Sequence, residues 1–235
     1  MRSCLIQLLV LVAVVFALLW FGLPFGASWL ATNALNAGGF TGTDTKVDVS
    51  AYPPPVLLTG HADSIHLTSS QVGIGDLHAA SLDLTLGKVE LFSRQIGTVA
   101  GTLEGVRVAA PDGQPVTVDT VKLSGAASSA SAEMGVSMAE AQRLAVAQLK
   151  SLGIAATVTL AAPNRITVTA GGRSQPGRLV AVAGALVLVP DGDALPTVTL
   201  MEPGSGNPFQ LSSVAIAADH LTLVGTIDVQ TLLGI

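Results

Sequence analysis

Charge is the scarcest commodity in this sequence. Of 235 residues, 11% are Asp, Glu, Lys or Arg, and Phe, Trp and Tyr together make up 4%. Ordinary soluble domains carry roughly 25% charged residues. With no run of Lys and Arg there is no electrostatic footprint for nucleic acid and no polybasic patch for anionic headgroups. The lone cysteine, Cys4, excludes an intrachain disulfide. It also precedes the long apolar run, whereas the cysteine of a bacterial lipoprotein follows one, so it reads as a thiol at a membrane edge.

Chemistry-bearing patterns are missing as well. The four histidines are His61, His66, His78 and His220, and none stands in metal-ligand spacing with Cys or acidic residues. There is no G-x-S-x-G elbow and no phosphate loop ending in Gly-Lys-Ser or Gly-Lys-Thr. Gly204-Ser205-Gly206-Asn207-Pro208 lacks the spacing of a nucleotide fingerprint, and Glu90 and Glu104 have no carboxylate neighbours to pair with. His220 follows Asp219 at a turn that both residues suit. The expectation is a non-enzyme with no catalytic residues, no metal and no cofactor.

What the sequence has in plenty is aliphatic character, at 49% hydrophobic overall. Leu5 to Leu23 contains Gln7 as its only polar side chain, and its nineteen residues would span roughly 28 Å as a helix, enough for a bilayer core. Trp20 and Trp29 fall at or beyond its outer end, where aromatic rings favour the interface, and Arg2 holds the start inside. Residues 1–30 are therefore read as a signal-anchor and 31–45 as a linker, with Gly38 to Thr45 its Gly/Thr-rich part. Residues 46–235 form the exported domain of a single-pass cell-membrane protein. The competing reading is a cleaved signal peptide and a periplasmic or secreted product. The apolar core is long for that and small-x-small cleavage sites are poor, Thr32-Asn33-Ala34 being the best of them.

Beyond Val47-Asp48-Val49, the prolines Pro53, Pro54 and Pro55 predict a rigid polyproline turn. From Val56 to Leu123 apolar residues recur with period two, as in Leu82, Leu84 and Leu86, predicting an antiparallel meander. Ala126 to Ala132 reads as a small-residue connector. Ser137 is an N-cap with Glu140 completing a capping box, and Gly153 is a helix stop. Between them Met138, Ala141, Ala145, Leu149 and Leu152 share one helical face, widened by Leu144 and Val146, while Glu140, Arg143, Lys150 and Ser151 form a polar strip. Strands resume at Val158 and continue to Val229. Leu179 to Val189 is apolar on both faces, which in a meander means a strand covered on both sides.

The predicted fold class is α+β: a curved antiparallel meander sheet wrapped on one main amphipathic helix, preceded by a transmembrane helix. So many strands exceed what one helix can cover, and the surplus apolar face points to a ligand. Membrane lipid is the expected partner, with nucleic acid excluded. Its groove would be lined by Met138, Ala141, Ala145, Leu149, Leu152, Leu179, Val187 and Val189. Arg165, Arg173 and Arg178 are headgroup candidates, since a guanidinium donates bidentately to phosphate. The alternative is a non-catalytic structural or protein-interaction domain of the envelope. A protein-binding hot spot favours Trp, Tyr and Arg, and beyond Trp29 there is no Trp and a single Tyr, Tyr52.

The stretches Pro55-Val56-Leu57-Leu58-Thr59-Gly60 with Ala62-Asp63-Ser64-Ile65, the alternating segment Leu82 to Leu91, the Ser137-initiated helix and the closing strand from Leu195-Pro196 resemble the LmeA-like phospholipid-binding proteins of bacterial envelopes. The resemblance spans about residues 45–230. It implies an elongated sheet wrapped on helix with an apolar lipid groove, as in tubular lipid-binding domains, and brings no catalytic residues with it. Members of that family often have a cleaved signal peptide, which the long apolar run here does not match.

Overall fold

A computed structural model describes residue 28 and residues 40–74, 77–109, 114–192, 196–202 and 209–233. The apolar run Leu5 to Leu23 lies outside the described residues. Among those residues, no helix is long and apolar enough to cross a membrane.

The chain is mostly antiparallel sheet with one main helix. An eight-stranded sheet has the order β1-β2-β3-β4-β5-β6-β13-β12, and a five-stranded sheet the order β11-β10-β9-β8-β7. The first five strands are β1 (Phe40–Ser50), β2 (His61–Ile74), β3 (Leu77–Glu90), β4 (Gln95–Ala109) and β5 (Pro115–Ala126). They form the meander that the period-two pattern predicts. β6 (Ala130–Ser137) leads into helix α1 (Met138–Ser151). Then β7 (Thr157–Ala161), β8 (Arg165–Ala170), β9 (Arg173–Val182), β10 (Ala185–Pro190) and β11 (Val198–Met201) make the second sheet. β12 (Phe209–Ile216) and β13 (His220–Ile227) return to pair beside β6, and a short helix α2 (Val229–Leu233) closes the chain.

Four local readings of the sequence change. The Gly/Thr-rich span after residue 38 is strand from Phe40, because Thr41 and Lys46 to Ser50 pair with β2 and Phe40 is buried. The prolines open a 3-10 turn over Pro54–Thr59, closed by Gly60 at φ 81°. The small-residue connector becomes β6 after a 3-10 turn, Ala127–Ser129; Ala130 and Ala132 are small because they are almost wholly buried. The apolar stretch from Leu179 to Val189 is two strands, folded tightly at Ala183 and Gly184, which adopt φ 50° and 83°. Positive φ at both central residues matches the right-handed twist of the flanking strands. The single wrapped sheet of the sequence reading is also two sheets, because β7 to β11 pair only with one another.

Helix α1 begins as its cap predicts. The Ser137 side chain accepts from the Glu140 backbone N–H at 3.3 Å. The reciprocal half of the box is replaced: the Glu140 carboxylate accepts instead from the Thr117 backbone N–H at 3.1 Å and from Arg143 at 2.7 and 3.0 Å. Arg143 also donates to the Pro115 carbonyl at 3.2 Å, so this cluster ties the helix to the start of β5. At the other end Ile154 N–H donates to Leu149 O (2.9 Å) and Gly153 N–H to Lys150 O (3.0 Å), with Gly153 at φ 80°. That pair of bonds is the Schellman termination, and glycine holds the left-handed position at no steric cost.

The core follows this arrangement. Ala141, Ala145 and Leu149 of α1 bury together with Ala132 and Val136 of β6, Leu221 and Leu223 of β13, and Leu160, Ile166, Leu179 and Leu188 of the second sheet. A second cluster gathers Val47, Val49, Leu67, Val72, Leu82 and Val106 within the meander.

Candidate functional site

Between α1 and the two sheets lies a cleft of about 550 Å³. Val136, Leu221 and Leu223 form its floor on the eight-stranded sheet; Leu160, Leu179, Leu186, Leu200 and Met201 face them from the five-stranded one. The helix supplies two stripes: Ala141 and Ala145, then Leu144, Gln148 and Ser151. Small residues at 141 and 145 are what leave the space open. The polar lining groups are Gln148, Ser151 and Glu202, and Ser151 and Glu202 are exposed, which puts them at the mouth. No Lys, Arg or His side chain among the described residues lines it.

The floor does not stop at the cleft. Residues paired directly across an antiparallel sheet share a face. Leu82, Leu103, Val121, Met134, Leu223 and Val214 pair in succession across β3, β4, β5, β6, β13 and β12. A parallel row runs Leu84, Gly101, Leu123, Ala132, Gly225, Leu211. In these rows Leu84, Leu103, Val121, Leu123 and Met134 are only half-buried. An aliphatic wall therefore extends from the cleft back across the meander. Its opposite face carries Asp83, Thr102, Lys122 and Glu133, the polar partners expected of a sheet wetted on one side.

The expected groove residues separate into two groups. Ala141, Ala145 and Leu179 meet in the cleft. Met138 and Leu149 pack in the core behind it, Leu149 at 1% exposure. Leu152 does not join them: the helix ends at Ser151, Leu152 caps it, and its side chain is 53% exposed. Val187 and Val189 lie on the other face of the second sheet, because β10 alternates and Leu186 is the residue that reaches the cleft. Leu144, which widens the apolar face in the sequence reading, lines the cleft too; Ala147, Gln148 and Ser151 were missed, and Leu144, Gln148 and Ser151 follow i, i+4, i+7 spacing beside the buried stripe. Ser151 had been assigned to the solvated strip.

The arginines also separate. Arg165 and Arg178 are direct cross-strand partners, and both approach Asp191, at 3.7 and 3.3 Å. Arg178 precedes Leu179 in a strand, so it projects from the face opposite the cleft, and Arg165 shares that face. Arg173 is at the far end of the same hairpin, beside Gly171 and Gly172. None of the three reaches the cleft mouth.

Among the described residues, the shifted carboxyls are all lowered, that is, held in their charged form. Hydrogen bonds from Arg143, only partly opposed by burial, hold the Glu140 carboxyl below its ordinary range, and the Thr117 N–H adds to the effect. Asp219 is likewise lowered, chiefly by its 2.6 Å contact with His220, but it is fully exposed. Among the described residues no three His, Cys, Asp or Glu side chains are placed to hold a metal.

No protein-family model, curated protein or solved structure matches the chain. The site must therefore be interpreted from its own chemistry: apolar walls and a polar mouth, with no cationic side chain lining it among the described residues.

Proposed function

We propose that this protein binds a membrane-derived amphiphile, taking one acyl chain into the cleft beside α1. The observation that carries the reading is the continuity of the cleft floor with a half-buried aliphatic wall across six strands. Leu103 and Val121, although they pack against the core of the meander, keep part of their surface in water there. A methylene occupies about the ~30 Å³ of a liquid water molecule, so 550 Å³ accommodates roughly eighteen, or a single long chain. The polar end would meet Gln148, Ser151 and Glu202. In this reading the arginines play no part in headgroup capture, since Asp191 engages two of them on the other face. The resemblance to the LmeA-like phospholipid-binding proteins points the same way, as does the Leu5–Leu23 run, which we read as the membrane anchor of an extracytoplasmic domain.

Lipids of increasing acyl length, titrated into the purified protein at low and high salt, test this proposal. Each buried methylene contributes about 0.8 kcal/mol at most, close to fourfold in affinity. Affinity should climb with chain length, rise less steeply beyond roughly eighteen carbons as the 550 Å³ fills and the chain passes onto the wall, and hardly respond to salt. Affinity that ignores chain length and collapses with salt refutes the cleft. Absence of any bound lipid by native mass spectrometry moves the weight to an envelope interaction domain.

A further inference from the structure

We infer that the protein has a second membrane contact besides its N-terminal run: an apolar tip, built from two adjoining turns, that inserts into the bilayer interface. Four side chains define it. Tyr52 is 81% exposed, Phe92 80%, Leu58 61% and Leu91 47%. Tyr52 and Leu58 belong to the lead-in and body of the 3-10 turn before β2, and Leu91 and Phe92 to the turn between β3 and β4. The turns are held together. Leu91 N–H donates to the Gly60 carbonyl at 2.8 Å, and the Phe92 ring lies so close over Gly60 that a Cβ there would come within 2.5 Å of it. Singly exposed apolar residues are normal on any surface. Here four sit together, and they include the only tyrosine of a chain whose aromatic content is 4%.

A protein partner or a membrane would both cover such a tip, and the position of Ser28 decides between them. The Val49 N–H donates to the Ser28 hydroxyl at 3.2 Å, and Val49 lies three residues before Tyr52, near the end of β1 that reaches the tip. Leu23, the last residue of the apolar run, is five residues before Ser28, so the chain can carry it at most about 18 Å away. Ser28 is thus at the end of the domain that carries the exposed tip, and the apolar run ends five residues before it in the chain. If the run is embedded in a bilayer, as proposed above, the tip is presented to that bilayer's surface.

The chemistry fits an interface more than a charged headgroup layer. Aromatic rings and leucines partition into the boundary between headgroups and acyl chains, roughly 5–10 Å deep. Around the tip Lys88 and Arg94 are matched by Glu90 and Asp63, so insertion would depend little on salt. The inference uses the anchor and does not depend on what fills the cleft.

The test uses the full chain with Cys4→Ser, reconstituted into vesicles of phosphatidylcholine with a minor share of phosphatidylglycerol. A single cysteine carries an environment-sensitive fluorophore in Phe92→Cys or Leu58→Cys. The reference site is Ala218→Cys, exposed in the turn between β12 and β13, at the opposite end of β13 from the Ala130 pairing. The expected result is a blue-shifted label at 92 and 58, quenched several-fold more strongly by brominated acyl chains than at 218, unchanged in high salt. Adding Tyr52→Ser and Phe92→Ser should weaken quenching at position 58 several-fold, with the circular dichroism spectrum unchanged as the check that the fold is retained. Labels at 92 and 58 as wet as the one at 218, in a chain that resists alkaline washing, overturn the tip and leave the anchor standing. A chain that washes off the vesicles overturns both. Burial of the labels only on adding another protein also refutes the membrane assignment.

Discussion

Leu149 is the residue on which the helix-to-sheet packing can be tested most sharply. It is 1% exposed, in a core cluster drawn from α1, from β6, β12 and β13 of the larger sheet and from all five strands of the smaller one. Leu149→Ala removes the equivalent of three methylenes, about 2.4 kcal/mol of transfer free energy. The void adds to this, because the strands around it are fixed by sheet hydrogen bonds and cannot close in. The total should fall in the upper half of the usual range, about 3–5 kcal/mol. Ile154 packs against the same cluster while its N–H caps the Leu149 carbonyl, so the Schellman turn should loosen as well. Leu152, three residues on in the same apolar pattern, is the internal control. At 53% exposure, Leu152→Ala should stay within about 0.5 kcal/mol. Urea denaturation in one mild detergent, followed by circular dichroism, measures both, and the denaturant slope should not change. Equal losses for the two variants, or a loss at Leu149 of only a few tenths, would refute the packing described here.

Three further outcomes follow from the same geometry. Ser137→Ala removes the acceptor of the Glu140 N–H and should cost about 1 kcal/mol in the same denaturation experiment. Because the Glu140 carboxyl titrates below its ordinary value, its contribution is present above about pH 4.3 and disappears as pH falls through the depressed value; the stability gap between the parent and Glu140→Gln, measured from pH 7 to pH 3, should therefore narrow on the acid side. Ala145→Leu adds bulk at a buried position that lines the cleft, so it should cost at most about 1–3 kcal/mol in denaturation while lipid occupancy by native mass spectrometry falls; unchanged occupancy would move the ligand elsewhere.

The period-two runs made the meander legible, because one face of each strand is packed and the other wet. Helix α1 was legible too, from a cap, a stop and an apolar stripe within seventeen residues, Ser137 to Gly153. What hid was structure built from residues with no strong preference. β6 reads Ala-Ser-Ala-Glu-Met-Gly-Val-Ser, and its small side chains signal a loop until the strands on either side require them to be small. The β9–β10 hairpin hid for a different reason. Ala183 occupies a left-handed turn position that Asn or Asp would advertise, and the unbroken apolar run conceals the reversal. The site inherited that error: with one strand assumed, Val187 and Val189 joined Leu179, whereas the fold brings Leu186 there instead. The arginines, close in sequence, were separated from the cleft by simple alternation along β8 and β9.

The surplus of apolar sheet, inferred from strand count, has a geometric basis. Eight strands at about 4.8 Å spacing make a sheet roughly 34 Å wide. Helix α1, fourteen residues long, is about 21 Å by 10–12 Å with its side chains, and covers two or three strands. The five-stranded sheet meets the larger one mainly through β9, β10 and β12, near that same edge. The C-terminal helix α2 covers one end of the inner face of β3, β4 and β5, where Val229 packs in a cluster with Ile96, Val99, Leu84 and Leu123; further along that face Leu103 and Val121 are half-buried. In the reading proposed above, an acyl chain continuing out of the cleft would cover what remains of that wall. Leu103→Ser and Val121→Ser separate the two possibilities. If the wall holds lipid, both should lower affinity for long chains more than for short ones. If it is only incidental surface, affinity should be unchanged at every length.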